Sequence, residues 1–168
     1  ENAPSDLLIV AAGGDMGEHV AQASGRTVTT VHGAAQERST GLDTKRAARE
    51  ILARGIDLLL FAGGDGTARD LMDSLAEDLP VIGIPAGVKM HSGVFALSPR
   101  AAGRIAARHL SRGLPLQLRE VMDLDEARYR VGGISAELYG YMLMPYEADL
   151  VQGVKASQVN TDERAAQS

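Results

Sequence analysis

Apolar residues in this chain gather in short runs, separated by glycine-rich or polar turns. Leu7 to Ala12, the Leu58-Leu59-Leu60-Phe61 run and Val81 to Ile84 are continuous apolar stretches of strand length, as in a parallel sheet covered on both faces. Thr27 to Val31 reads as another short strand by its Thr and Val content. Between these runs the apolar positions change to helical spacing. A short helix is predicted over Glu18 to Ala23, ended by Gly25. A stronger one runs from Thr44 to Arg54, with Ala47, Ala48, Ile51 and Leu52 on one face, Asp43 as N-cap and Gly55 as the stop. Ala68 to Ala76 turns Leu71, Met72 and Leu75 inward. The last helix starts at Ser98-Pro99, runs to about Arg112 and turns Ile105, Ala106 and Leu110 inward. Its arginines Arg100, Arg104, Arg108 and Arg112 recur as one solvated face. Strand and helix in alternation predict an α/β fold, a Rossmann-like parallel sheet with flanking helices.

The pattern changes after Gly113. Pro115 to Met122 alternates like a half-buried strand, Asp123 to Glu126 is acidic, and Tyr129 to Val131 and Ser135 to Met144 read as further strands. These are expected to be antiparallel, joined across Gly132-Gly133. A soft boundary near Leu114 therefore divides residues 1–113, a βα-repeating α/β domain, from residues 114–168, the start of a β-rich domain and a tail. Residues 153–168 show no periodicity. The β-rich part has too few strands to close a sandwich alone.

Composition narrows the chemistry. The 168 residues are 45% hydrophobic but only 4% aromatic, with no tryptophan, so the core is aliphatic. A net charge of −5 without a basic run argues against general nucleic-acid binding. The absence of cysteine excludes disulfides, thiolate metal sites and cysteine nucleophiles and is compatible with a reducing cytoplasm. No apolar run is long enough to span a bilayer, and no signal peptide is visible. A cytoplasmic protein without membrane partners is expected, with a homo-oligomer as its assembly.

The central apolar run stops at Gly63-Gly64-Asp65-Gly66-Thr67, and a helix follows. Strand, glycine turn and helix start are suited to phosphate. Glycine lets the backbone approach closely, and the helix N-terminus supplies free N–H groups and a positive dipole end. Asp65 inside that turn would repel a bare phosphate. It therefore needs a role of its own, either holding Mg²⁺, accepting a hydroxyl proton, or capping the helix. The simpler reading is an ordinary turn with Asp65 or Thr67 as N-cap. The spacing matches neither a Walker loop nor Gly-x-Gly-x-x-Gly. A second turn, Gly83-Ile84-Pro85-Ala86-Gly87-Val88-Lys89-Met90-His91-Ser92-Gly93, ends the next strand. Its Gly87, Lys89, His91 and Ser92 are candidates to touch phosphate or a substrate hydroxyl; a surface lysine and a structural histidine are the plain alternatives. The first strand also ends in Gly13-Gly14-Asp15, which is either a weak internal repeat or coincidence. Thr40, Asp43 and Thr44 read either as caps or as a helix N-terminus presented to a ligand.

Together these motifs resemble the NAD kinase and diacylglycerol kinase superfamily. Gly63-Gly64-Asp65-Gly66-Thr67 carries the superfamily signature, and Gly83 to Ala96 resembles the ATP-NAD kinase-like branch that includes the acetoin-catabolism protein X group. Gly14-Asp15-Met16-Gly17-Glu18, Val121 to Glu126, Leu138-Tyr139-Gly140-Tyr141 and Pro145-Tyr146-Glu147 are similar to that branch as well. The resemblance implies an active site between an α/β domain and a β-rich domain. It implies transfer of the γ-phosphoryl of ATP, or a phosphoryl of polyphosphate, to the 2′-hydroxyl of NAD, with Mg²⁺. Asp65 then matches the motif aspartate, the suspected proton acceptor, and Gly63, Gly64, Gly66 and Thr67 match the phosphate-facing turn. No side chain is assigned to a metal.

The departures are specific. Pro85-Ala86-Gly87-Val88-Lys89 replaces an asparagine-containing glycine turn. The Asn-Glu/Asp motif, the Thr-Gly-Ser-Thr-Ala-type stretch and the opening Asn-Pro-x-Ala-Gly strand are absent. With Glu1 in place of methionine, an interior piece of a longer protein or a divergent relative is expected. A kinase of another small-molecule or lipid hydroxyl, and a nucleotide-binding regulatory protein without catalysis, are the alternative functions.

Overall fold

The computed structural model describes residue 4 and residues 6–33, 38–87, 90–124 and 136–151. The apolar runs form strands β1 (Ile9–Ala12), β2 (Val28–Val31), β3 (Leu59–Gly63) and β4 (Val81–Pro85). β1 pairs with β2 and β3 with β4, both in parallel. Ala12 lies opposite Val31, and Gly63 opposite Pro85. The helices are α1 (Glu18–Gln22), α2 (Gly41–Leu52), α3 (Asp65–Met72) and α4 (Pro99–Arg112). β5 (Leu116–Leu124) and β6 (Ala136–Pro145) then pair antiparallel, with a bulge between Val121 and Met122. This is the expected α/β arrangement with later antiparallel strands. The expected strand Tyr129 to Val131 and its Gly132-Gly133 connection lie outside the described residues, as does the tail 153–168.

Two helix starts differ from expectation. α2 begins at Gly41, ahead of Thr44, and its N-cap is Thr40 rather than Asp43. The Thr40 hydroxyl accepts the Asp43 N–H at 3.3 Å, while Asp43 accepts the Thr40 N–H at 2.9 Å. This capping box satisfies two donors that the first turn would otherwise leave open. α3 runs from Asp65 to Met72, not from Ala68 to Ala76. Gly64 is extended, with φ −123 and ψ −164, and hands the chain straight into helix. Asp65-Gly66-Thr67 is therefore the first helical turn rather than a loop before it.

β4 is covered on both faces, which is why its sequence is apolar without alternation. Val81 enters a core with Phe61, Ala68, Leu71, Ala47, Ala48 and Ile51. Ile82 enters a second core, with Ala102, Ile105 and Met144, under α4. Gly83 donates its N–H to Val94 and accepts from Ala96, so the segment around Phe95 runs beside β4. Phe95 is fully buried and meets Phe61 edge-on, with ring centroids 5.5 Å apart. This packing fixes the preceding loop, 90–93, at the carboxyl ends of β3 and β4.

The hairpin adds Val121 and Met142 to the first core and Met144 to the second. Its inward face carries Arg119 and Val121, while Leu116, Leu118 and Tyr141 point outward and are exposed. The arginine row of α4 is not wholly solvated, because Arg108 pairs with Glu147. Among the described residues, no helix is long and apolar enough to cross a membrane.

Candidate active site

At the end of β3 the backbone opens a small cradle. The N-cap Gly64 has no side chain with which to satisfy the first-turn N–H groups of α3, and no side-chain cap is present. A Cβ added at Gly64 or Gly66 would meet nothing within 4 Å, so both glycines border open space. Gly63 and Thr67 do something different. A Cβ at Gly63 would lie 2.6 Å from the Thr67 Cβ, so these two residues pack on each other beneath the cradle. The turn after β4 comes alongside. Ala86 donates its N–H to the Gly63 carbonyl at 3.1 Å, and a Cβ at Gly87 would lie 3.9 Å from the Gly64 Cα. Two turns far apart in sequence thus share one edge of the fold. Lys89 lies outside the described residues.

Asp65 is not the cap of its own helix. Its side chain is 6% exposed and turns toward the loop after β4. Oδ2 accepts the backbone N–H of His91 at 2.9 Å, and Oδ1 accepts the N–H of Ser92 at 2.9 Å. The His91 imidazole also reaches it, with Nδ1 3.4 Å from Oδ2. That imidazole remains 34% exposed. A buried carboxylate is tolerable because charge-assisted N–H bonds replace its lost water. The carboxylate therefore clamps one glycine turn to the other.

Ser92 extends the clamp to the hairpin. It is fully buried, and its hydroxyl accepts the Met122 N–H of β5 at 2.9 Å. Gly93 donates to the Glu120 carbonyl at 2.8 Å and accepts from the Arg119 Nε at 3.1 Å. Sequence reasoning made Ser92 a ligand contact; the structure gives both its N–H and its hydroxyl protein partners. It missed Arg119 and Met122. Met122 acts through its backbone, which leaves no letter to read. Arg119 had one available signal, a guanidinium placed two residues from Val121 on the same face of a strand.

The first Gly-Gly-Asp turn forms no comparable clamp. Asp15 is 93% exposed and pairs with His19, at 2.9 Å. At α2, the capping box closes the N-terminus, and the Asp70 carboxylate lies against Gly41.

The open space beside Gly64 and Gly66, next to uncapped N–H groups, suits the phosphates of a nucleotide. Among the described residues, no group of three His, Asp or Glu side chains gathers as a metal cage.

A family model, that of the ATP-NAD kinase N-terminal domain, matches residues 5–114. Neither the curated proteins nor the solved structures returned a match.

Proposed function

The chain belongs to the ATP-NAD kinase N-terminal domain family, and on that premise we propose that it transfers the γ-phosphoryl of ATP, or a phosphoryl of polyphosphate, to the 2′-hydroxyl of NAD, forming NADP. The observation that carries this reading is the cradle. Uncapped N–H groups, two glycines bordering open space and a buried carboxylate meet at the carboxyl end of β3. Phosphoryl transfer asks mainly for positioning and charge neutralisation. Gly64, Gly66 and the α3 N-terminus supply N–H groups to the transferring phosphates, and Gly87 lines the opposite side. Mg²⁺, brought by the nucleotide, would neutralise charge on the phosphates.

A second reading, nucleotide binding without transfer, has one observation in its favour: both Asp65 oxygens already accept loop N–H groups. A lipid or other small-molecule hydroxyl as acceptor has none. The decisive assay is NADP formation by the full-length protein with NAD and Mg²⁺, supplied in parallel with ATP or polyphosphate. NADP from either donor supports the proposal and identifies the donor. No NADP from a folded protein that still binds ATP would transfer the conclusion to the second reading.

A further inference from the structure

We propose that Arg119, a buried cation on β5, is a positioning residue for Asp65: it fixes the loop whose N–H groups hold the Asp65 carboxylate. The assignment rests on the transferase reading above, in which Asp65 serves the acceptor hydroxyl. It names a residue beyond the range 5–114 that the family model matches. Arg119 shares the inward face of β5 with Val121 and is 8% exposed. Burying a guanidinium is costly, and an apolar side chain of similar volume often serves stability as well or better. Packing alone therefore does not account for a cation here.

The Arg119 Nε donates to the Gly93 carbonyl at 3.1 Å, and its guanidinium carbon lies 5.9 Å from the Tyr146 ring centroid. Gly93 has no side chain to keep the arginine off. A Cβ there would lie 3.2 Å from Nε and 2.6 Å from Glu120 Oε2. The Gly93 N–H goes to the Glu120 carbonyl at 2.8 Å. Both backbone groups of Gly93 are thus taken by neighbouring residues of β5. The two residues before Gly93 are the ones that hold Asp65, for the N–H groups of His91 and Ser92 each lie 2.9 Å from one of its oxygens. With planar peptides and two soft dihedrals per residue, so short a stretch has little slack, and a shift at Gly93 reaches the Ser92 N–H. A carboxylate offers about four acceptor sites, so sites remain for the acceptor hydroxyl beside the two loop bonds. Where they point is set by the loop. Misplacing a reacting group by about 1 Å costs roughly 100-fold in rate.

The test compares Arg119→Gln with Arg119→Met in the full-length protein. Both remove the charge and the contact with the Tyr146 ring. Glutamine carries an amide N–H as many bonds from the backbone as Nε, so it can still donate to the Gly93 carbonyl. Methionine has a similar length and no donor. The kcat for NADP formation, the KM for ATP and for NAD, and the urea midpoint are measured for each. Arg119→Met is expected to lower kcat roughly 10- to 100-fold with the ATP KM within about twofold of the parent, because the cradle is built on α3. Arg119→Gln should keep kcat within about threefold of the parent. A merely structural arginine would make the two variants alike, since both lose the guanidinium. Equal turnover in the two, a tenfold or greater loss (about 1.4 kcal/mol in the barrier) in a folded Arg119→Gln, or a raised ATP KM at unchanged kcat overturns the assignment while the transferase reading stands. So does an Arg119→Met that fails to fold, which would make the role one of stability. A parent protein that forms no NADP overturns both.

Discussion

The chain carries the same tripeptide twice, each time at the end of the first strand of a parallel pair, and in only one copy does the aspartate tie the turn to the loop after the partner strand. At Gly13-Gly14-Asp15 the second glycine adopts φ +61, a conformation that costs other residues dearly, and the backbone breaks into a single 3-10 turn. Asp15 is thrown outward to solvent. Glu18 then does the local tying: it accepts the Gly14 N–H at 2.8 Å and the Thr30 hydroxyl at 2.7 Å, and these bonds, the amide first, hold its carboxyl below the usual range. At Gly63-Gly64-Asp65 the second glycine stays extended, helix begins at once, and the aspartate is the first residue of α3. There it reaches across to the loop following the partner strand. In both places that following segment returns to the turn. At the first, Gly33 presses backbone to backbone on Gly13, leaving no room for a side chain; at the second, amides meet a carboxylate. Where the second glycine has positive φ the carboxylate faces water, and where it is extended the carboxylate faces the loop after β4.

The sharpest way to break this comparison is to remove the charge from each aspartate. Asp65→Asn should lower NADP formation by roughly 100- to 10,000-fold. An amide offers one acceptor where the loop needs two, and its NH₂ group faces other N–H donors. Asp15→Asn should leave turnover within about twofold, because a surface pair with a histidine contributes little. Equal losses in the two variants would show that the turns are functionally equivalent. Parental turnover in Asp65→Asn would remove the carboxylate from the mechanism altogether.

The glycines offer the next contrast. Gly64→Val would place a branched side chain in the open space of the cradle and should weaken ATP binding on the order of tenfold or more, equivalent to ~1.4 kcal/mol or more. Gly14→Ala, at positive φ, should cost about 1 kcal/mol of stability and leave ATP affinity unchanged. Calorimetric titration alongside urea unfolding separates the two effects. Unchanged ATP affinity in Gly64→Val would count against a phosphate cradle at this turn.

Ser92→Ala tests the clamp from its far side. The variant keeps the N–H bond to Asp65 but leaves the Met122 N–H without the hydroxyl that now accepts it. The bond is part-buried, so leaving this donor unsatisfied should cost about 1 kcal/mol, the lower end of the range for a buried group, which would appear as a lower urea midpoint at unchanged slope. The corresponding change in the other turn, Thr30→Ala, removes an exposed hydroxyl bond and should cost less than about 0.5 kcal/mol. A midpoint unchanged by Ser92→Ala would mean that the hairpin does not depend on this attachment.

The letters of the chain disclosed the strands, the helical faces and the glycine turn because each rests on local periodicity or on glycine's missing Cβ. Leu59, Phe61, Val81, Ile82 and Gly83 are buried as their apolar runs suggest, but β3 alternates and Leu60 is 41% exposed, so its run is not covered on both faces as expected. What the letters hid were properties set by distant partners. Nothing local says that Asp65 would turn away from its own helix toward His91 and Ser92, for capping satisfies the same carboxylate at short range. Nor does alternation say which face of β5 is inward: the regular leucines Leu116 and Leu118 ended up exposed and Arg119 buried. The inward face is fixed by the pairing with β6 and by the loop at Gly93, both far away in sequence. α3 starts earlier than its apolar spacing suggests because Gly64 and Gly66 look like loop residues, whereas Gly66 is a helical residue whose missing side chain keeps the cradle open.

The smallest effect concerns a surface network that ties the hairpin to α2 and α3, at a distance from the clamp. Lys45 lies 2.7 Å from Asp73, whose other oxygen accepts the Tyr139 hydroxyl at 2.7 Å. The Lys45 ammonium first, then the Tyr139 hydroxyl, holds the Asp73 carboxyl below its ordinary value. The same contacts, with Asp73 as the leading cause, raise both Lys45 and Tyr139 above theirs. The signs oppose one another. The contribution of Asp73 is complete above the unfolded aspartate pKa and disappears as the pH falls through its lowered folded value, below about pH 4. The contributions of Lys45 and Tyr139 are complete below their unfolded values and disappear as the pH rises through their raised folded ones, above about pH 10. Stability measured by urea unfolding should therefore show a plateau across neutral pH that falls slightly at both ends. Asp73→Asn should flatten both ends at once, because it removes the common partner, and added salt should shrink the difference between variant and parent. A pH profile that Asp73→Asn leaves unchanged would show that the hold of the hairpin on α3 does not depend on this network.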